Sequence, residues 1–272
     1  MRLRLISAAV LIPAVLIATW AGEIPFLIVV LVTGALVLHE WLSMVGLHRG
    51  WTCRLVGWCA LALIALAAQT QTMGVAALAV GFAVLASVVV VWRDRPAASA
   101  RWVAAGTLYA GLAVVALIAL RKGSDGFSAI VFVFLIAWAT DTFAFFVGRQ
   151  VGGPKLWPQV SPSKTWSGAV GGLVAGVIFG AIAAWVLNVE PAMKTLLAAG
   201  AVAIAAQAGD LLESAAKRRF SVKDAGSLIP GHGGVMDRVD GVVLAALVTA
   251  GLGIAMAGET VAGGFLTLMA AP

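Results

Sequence analysis

From Gly209 to Gly241 the sequence reads GDLLESAAKRRFSVKDAGSLIPGHGGVMDRVDG. The stretch holds Asp210, Glu213, Asp224, Asp237 and Asp240, five of the chain's 12 acidic residues, and Lys217, Arg218, Arg219, Lys223 and Arg238, five of its 18 basic ones. Long apolar segments lie on both sides. Charge at a bilayer boundary is costly unless it is solvated, paired or bound to something. Mixed charge of this kind suits a nucleotide phosphate chain held together with a divalent metal.

Asp210, Glu213, Ser214 and Lys217 are spaced i, i+3, i+4, i+7, so a helix running out of the membrane would carry all four on one face. Asp237 and Asp240 repeat the i, i+3 spacing at the start of the next apolar segment. Two helix ends would each offer a carboxylate pair. Hard oxygen donors without a His/Cys cluster point to Mg²⁺ rather than zinc. A helix-end salt-bridge network is the alternative, because acids and bases are interleaved. Pro230-Gly231-His232-Gly233-Gly234 is the second feature. Glycines let backbone N–H groups approach an anion, and a following helix N-terminus favours negative charge. An ordinary flexible turn is the competing reading, with His232 merely solvated; in the phosphate reading His232 donates to a phosphate oxygen or acts on a leaving group.

An earlier polar loop adds Asp141, Arg149, Lys155 and the run Ser161-Pro162-Ser163-Lys164-Thr165-Trp166. An acid at membrane depth, such as Asp141, is a functional candidate by default. Ser163, Lys164 and Thr165 offer hydroxyls and an ammonium at the entry to a helix. The Walker pattern GxxxxGK[ST] is absent. Trp157 and Trp166 fit interfacial anchoring. His39-Glu40, inside an apolar segment, is a packed or solvated pair on the plain reading.

The elements that must position these groups are membrane helices. The chain is 62% hydrophobic and 11% charged, against about 25% charge in soluble domains. A span needs roughly 20 apolar residues. Nine segments qualify: Leu5–Trp20, Ile24–Leu47, Thr52–Ala68, Thr72–Trp92, Trp102–Leu120, Gly126–Val147, Ser167–Leu187, Ala192–Gly209 and Val239–Ala257. The fold expected is an all-α polytopic bundle. No clean cleavage site follows the first apolar segment, so it is kept as a span. The tail from Glu259 is too short to cross again. With nine crossings, every Lys and Arg except Arg121, Lys122 and Lys194 falls on the side of the N-terminus. The positive-inside rule then places the N-terminus and both polar loops in the cytoplasm. The net charge of +6 fits basic loops beside anionic lipid; no basic run interleaved with exposed aromatics speaks for nucleic acid. Cys53 and Cys59 are too few for a metal cage and read as reduced, packed residues.

With these residues in view, the chain resembles the phosphatidate cytidylyltransferases (CDP-diacylglycerol synthases). Their C-terminal signature is S-x-apolar-K-R-x4-K-D-x-small-x2-apolar-P-x-H-G-G-apolar-x-D-R-apolar-D. Here it is met by Ser214, Lys217-Arg218, Lys223-Asp224, Gly226, Ile229-Pro230, His232-Gly233-Gly234-Val235, Asp237-Arg238, Val239 and Asp240. Ala216 stands where a larger apolar residue is usual, which is a packing difference. The Asp141 segment and the S-P-S-K-T-W-S-G stretch resemble a second region of the family. The resemblance is strong over about residues 138–241 and general over the first 120.

The resemblance implies that CTP and phosphatidate give CDP-diacylglycerol and pyrophosphate with Mg²⁺, a monovalent cation such as K⁺ beside it, in a homodimer at the cytoplasmic face of the cell membrane. It implies metal ligands Asp210 and Asp237, with Asp240 and Asp141 nearby. The catalytic set expected is Asp210, Lys217, Asp224, His232, Asp237 and Arg238. The phosphate-binding set is Ser163, Lys164, Ser214, Arg218, Lys223, Gly233 and Gly234. Residues 1–125 (spans 1–5) form a scaffold, and residues 126–272 (spans 6–9) a catalytic region with loops 148–166 and 210–240. The alternatives are a CTP-dependent lipid-alcohol kinase, a cytidylyltransferase for another lipid phosphate and, more remotely, an ion-coupled transporter. Against the transporter, the charges gather at one face instead of the midplane.

The charge asymmetry makes a topological prediction. Reporter fusions after Gly123 and at the C-terminus should both read extracytoplasmic, and a cytoplasmic signal from either breaks the nine-span arrangement.

Overall fold

The computed structural model describes residues 2–47, 51–69, 73–94, 97–187, 192–229, 233–256 and 258–270. Its elements are α1 (Arg2–Ala21), α2 (Glu23–Met44), α3 (Trp51–Ala68), α4 (Met73–Asp94), α5 (Ala97–Arg121), α6 (Gly126–Val151), β1 (Lys155–Trp157), β2 (Ser161–Thr165), α7 (Trp166–Val186), α8 (Met193–Arg219), α9 (Met236–Ala255) and α10 (Val261–Ala270). Among the described residues, eight helices, α2 to α9, are long and apolar enough to cross a membrane. They coincide with the second to ninth expected spans. The first expected span, Leu5–Trp20, falls on α1, a helix of 20 residues. The protein is an all-helical integral membrane protein apart from one two-stranded hairpin. The outward faces agree with a lipid solvent: Leu78, Phe82 and Leu85 on α4 are 76%, 62% and 61% exposed. Rows of large exposed apolar side chains are what a membrane surface accepts and water does not.

The chain divides into two units. The first comprises residues 1–119 and 220–238. Its centre is α5, with 72% of its apolar window buried against 28% for the peripheral α4. Trp41 on α2 fixes this centre. Its indole N–H donates to the Trp102 carbonyl at 2.8 Å, its ring stacks on Tyr109 at 5.8 Å, and a Cβ on Gly106 would overlap it. Trp102 in turn meets Phe220 edge-on at 5.0 Å, which ties the segment after α8 to this unit. Cys53 is buried, but Cys59 is exposed; the expectation of two packed cysteines holds for the first alone. His39 stacks on Trp58 at 6.3 Å.

The second unit comprises residues 120–219 and 239–272. α7 is its hub, packed on α6 and α8. The sequence of α7 explains why: Gly168, Gly172, Gly176 and Gly180 recur every fourth residue on one side. A Cβ on Gly172 would lie 2.7 Å from the Thr140 carbonyl, and one on Gly176 2.6 Å from the Ala203 methyl. Small residues at this spacing let membrane helices approach backbone to backbone, where packing rather than hydrophobicity holds them. α10, a ten-residue helix, closes the far end: Thr195 donates to the Met269 carbonyl at 3.0 Å, and Phe265 meets Phe132 edge-on at 5.2 Å.

Between α6 and α7 the polar loop is a hairpin. β1 pairs with β2 antiparallel, Lys155 opposite Thr165 and Trp157 opposite Ser161, with an irregularity between. Thr165 then caps α7, its hydroxyl accepting the Gly168 N–H at 3.1 Å, a contact typical of helix starts.

Overpacking a tight helix contact destabilises by about 1–3 kcal/mol. Gly176→Leu should therefore lower the thermal midpoint in detergent by several degrees, whereas Gly81→Leu, at a glycine with nothing within 4 Å, should not. Equal midpoints would show that the glycine seam does not hold the helices.

Candidate active site

α8 does not stop at the membrane boundary. It runs on to Arg219, and its last three turns carry Asp210, Glu213, Ser214 and Lys217 on one face, as their spacing requires. α9 begins at Met236 and carries Asp240 in its second turn. The two helices come close because position 209 is glycine: a Cβ there would strike the Asp240 carbonyl. That approach brings one carboxylate oxygen each of Asp210, Glu213 and Asp240 within 4.8 Å of one another.

Three acids so close repel. Two unit charges about 4 Å apart interact by about 4 kcal/mol at an effective dielectric of about 20, so the cluster needs cations. Two are present. The Lys164 ammonium, from β2, lies 2.5 Å from Asp210. The Lys217 ammonium lies 2.8 Å from Glu213, whose side chain is fully buried. Ser214 donates to Asp210 at 3.4 Å, and the Gly241 N–H donates to Asp240 at 2.8 Å. Arg218 donates to the Val160 carbonyl at 3.3 Å, so the end of α8 is tied to the hairpin that supplies Lys164.

Asp210 and Asp240 stand in the wall of a cavity of about 700 Å³ within the second unit. Asp141, Arg149, Lys155, Ser163, Lys164 and Gln207 supply further polar lining. Ala137, Phe145, Leu156 and Ala206 supply apolar lining. The cavity thus combines groups suited to phosphate and metal with groups suited to hydrocarbon. The donor set fits a hard divalent cation, which takes carboxylate oxygens and completes its shell with water and substrate phosphate.

The remaining signature residues belong to the first unit. Lys223, Asp224 and Arg238 are exposed. Ile229 and Gly233 face each other across a turn, the Ile229 N–H donating to the Gly233 carbonyl at 2.9 Å. Gly233 has φ +85°, a left-handed conformation that glycine adopts without strain. His232, with Pro230 and Gly231, lies outside the described residues. Asp237, expected as a metal ligand, instead holds this loop from within: its carboxylate accepts the Gly234 N–H at 2.8 Å and the Ala225 N–H at 3.1 Å.

Two acids were absent from the expected catalytic and metal-ligand sets. Glu213 shares the helix face with Asp210, as the i, i+3 spacing required of that carboxylate pair, and the structure joins Asp240 to the two. Glu40, on α2, accepts backbone N–H groups from Val235 and Met236 at 2.9 and 2.8 Å. Its separation of 195 residues from Val235 leaves no local signal beyond the oddity of an acid in an apolar span.

The sequence profile of the cytidylyltransferase family matches residues 2–254. The chain belongs to that family. A phosphatidate cytidylyltransferase of Brucella abortus (biovar 1, strain 9-941) is 39% identical over 247 residues, covering 89% of this chain and 89% of its own. One of Bacillus subtilis (strain 168) is 31% identical over 249 residues, covering 88% and 93%. One of Staphylococcus haemolyticus (strain JCSC1435) is 41% identical over 133 residues, covering 48% and 50%. The resemblance seen in the signature therefore extends over most of the chain, including the apolar first half.

For a cytidylyltransferase the carboxylate cluster makes a sharp prediction. Asp210→Asn and Asp240→Asn should each leave a folded, membrane-inserted protein whose turnover falls by about 10²–10³-fold, the scale of losing one electrostatic contact to a developing charge. Near-normal turnover in both would remove the cluster from the chemistry.

Proposed function

We infer that this membrane enzyme transfers CMP from CTP to phosphatidate, releasing pyrophosphate and leaving CDP-diacylglycerol in the membrane. The observation that carries the reading is the Asp210–Glu213–Asp240 cluster with its two lysines, of which Asp210, Asp240 and Lys164 line a cavity that is part polar and part apolar. It stands in a chain 39% identical to a protein named phosphatidate cytidylyltransferase.

The attacking group is an anionic phosphate oxygen of the lipid, so no Ser or Cys nucleophile is needed. That oxygen forms a bond to the α-phosphorus of CTP, and the bond from the α-phosphorus to the bridging oxygen breaks, so both electrons leave with pyrophosphate. The obstacle is electrostatic: two anions must meet and negative charge accumulates on the leaving group. Asp210, Glu213 and Asp240, with Asp141 in the same cavity wall, would hold Mg²⁺, with K⁺ as its companion. When bound, the cation supplies charge neutralisation at the phosphates. Lys164 and Lys217 hold the acids in place and offer positive charge at the cavity edge. Arg149, Lys155 and Ser163 receive phosphate oxygens. Phe145, Leu156 and the alanines accept the glycerol end of the lipid, which reaches the cavity laterally.

Lys223, Arg218, Arg238 and Gly233 keep the phosphate-binding role that the signature implies, and Asp224 and His232 their catalytic one, while the Gly234 amide is taken by Asp237. We place the cavity at the cytoplasmic face of the cell membrane, from the Lys/Arg asymmetry of the loops, and assign a homodimer and CTP as nucleotide on the family signature.

The test uses purified protein in lipid–detergent micelles with Mg²⁺, phosphatidate and CTP labelled in the cytosine. Label should pass into the lipid phase while pyrophosphate appears, and chelation of the metal should stop both. Release of CDP with a lipid alcohol as acceptor would replace this reading with a kinase. Transfer to neither acceptor would overturn it.

A further inference from the structure

α2 is the apolar span EIPFLIVVLVTGALVLHEWLSM, yet Glu40 lies in its last two turns with 2% of its surface exposed. A buried carboxylate is tolerated only when its oxygens are satisfied. Here one oxygen accepts the Val235 N–H at 2.9 Å and the other the Met236 N–H at 2.8 Å. These amides lie at the start of α9, where helix N–H groups lack partners within the helix and negative charge is favoured.

The signature loop is fitted around this carboxylate. A Cβ on Gly226 would lie 2.8 Å from the Glu40 carboxyl carbon, and so would a Cβ on Gly234. Both signature positions are small because Glu40 stands against them. Asp237 grips the same segment from the other side through the amides of Ala225 and Gly234. Two carboxylates thus collect the N–H groups of Ala225, Gly234, Val235 and Met236. A carboxylate suits the task and an amide does not: Gln offers one acceptor oxygen, and its NH₂ would confront the second N–H.

We propose that Glu40 is a positioning residue for the nucleotide-binding loop: from within the membrane span α2 it sets the Gly233–Gly234 turn and the first turn of α9 in the one arrangement that receives the CTP phosphates, without touching substrate. The nucleotide part of this rests on the function proposed above; the hold on the loop does not.

Two readouts on the full chain in lipid micelles separate these parts. In Glu40→Gln, amide hydrogen exchange in peptides covering residues 223–238 should rise about tenfold or more, since a buried N–H is left opposite a donor, while peptides from α6 and α7 keep their rates. kcat/KM for CTP, per folded protein, should fall about tenfold or more, with the KM for phosphatidate within about twofold of the parent. Unchanged exchange overturns the hold on the loop. Faster exchange with unchanged CTP kinetics, or a loss explained by the unfolded fraction, makes Glu40 structural and overturns the positioning role. A parent protein without transferase activity overturns the proposed function instead, and exchange still judges Glu40. If Glu40→Gln does not insert, Glu40→Asp, which keeps the charge and withdraws it by one methylene, gives the same comparison. The contact itself is read by a double-mutant cycle: Gly226→Ala should cost little more once Glu40→Ala has removed the carboxylate, and additive losses would refute it.

Discussion

Mutual repulsion among Asp210, Glu213 and Asp240 is the constraint on which the second unit turns. Three carboxylate oxygens within 4.8 Å are stable only where cations and donors face them. The fold supplies these from separate elements: Lys164 from the hairpin, Lys217 from the next turn of α8, and a backbone N–H from α9. Each of those elements has its own reason to be where it is. The hairpin is held by Arg218 and by the cap of Thr165 on α7. α9 reaches the cluster because Gly209 presents no side chain to it. A charged cluster that would unfold an isolated helix end becomes a receptive site when the surrounding packing removes every alternative arrangement.

The first unit solves the same problem differently. Two backbone N–H groups of a helix start satisfy Glu40. Backbone donors cannot move away, so a carboxylate bound to them is a rigid joint, whereas a lysine pair can open to admit an anion. The difference in partner matches the difference in task. Lys164 and Lys217 neutralise a carboxylate cluster, and Glu40 holds the backbone of a loop.

Much of this was legible in the sequence, and the physics says which part. Apolar runs near 20 residues must be helices, because lipid leaves backbone groups no other partner, so α2 to α9 follow from composition alone. The i, i+3, i+4, i+7 spacing from Asp210 to Lys217 placed those side chains on one face as soon as α8 was known to continue. The hairpin was not legible. Lys155–Trp157 and Ser161–Thr165 are short, carry Pro162 within a strand, and alternate poorly, so they read as loop. Glu213 was legible as the partner of Asp210 on that face, and the structure also pairs it with Lys217. Glu40 could be noticed and not interpreted, since its partners lie at the other end of the chain.

The site's position follows from what a charge costs in a bilayer. A carboxylate at the centre of a span is disfavoured by about 2.5–3.5 kcal/mol on insertion scales, and the penalty falls toward the interface. Asp210 and Asp240 are placed at the ends of their spans, where water can reach them through the cavity. A substrate with two acyl chains and a charged head has the same division of polarity. The cavity lining contains both kinds of group, Phe145 and Leu156 as well as Asp210, Lys164 and Arg149. A soluble enzyme would have to extract such a lipid into water, exposing both chains; a helix bundle that opens its polar end at the headgroup level leaves the chains in hydrocarbon throughout. The membrane helices are therefore part of the chemistry's solvent, and the small residues of α7 let them pack closely.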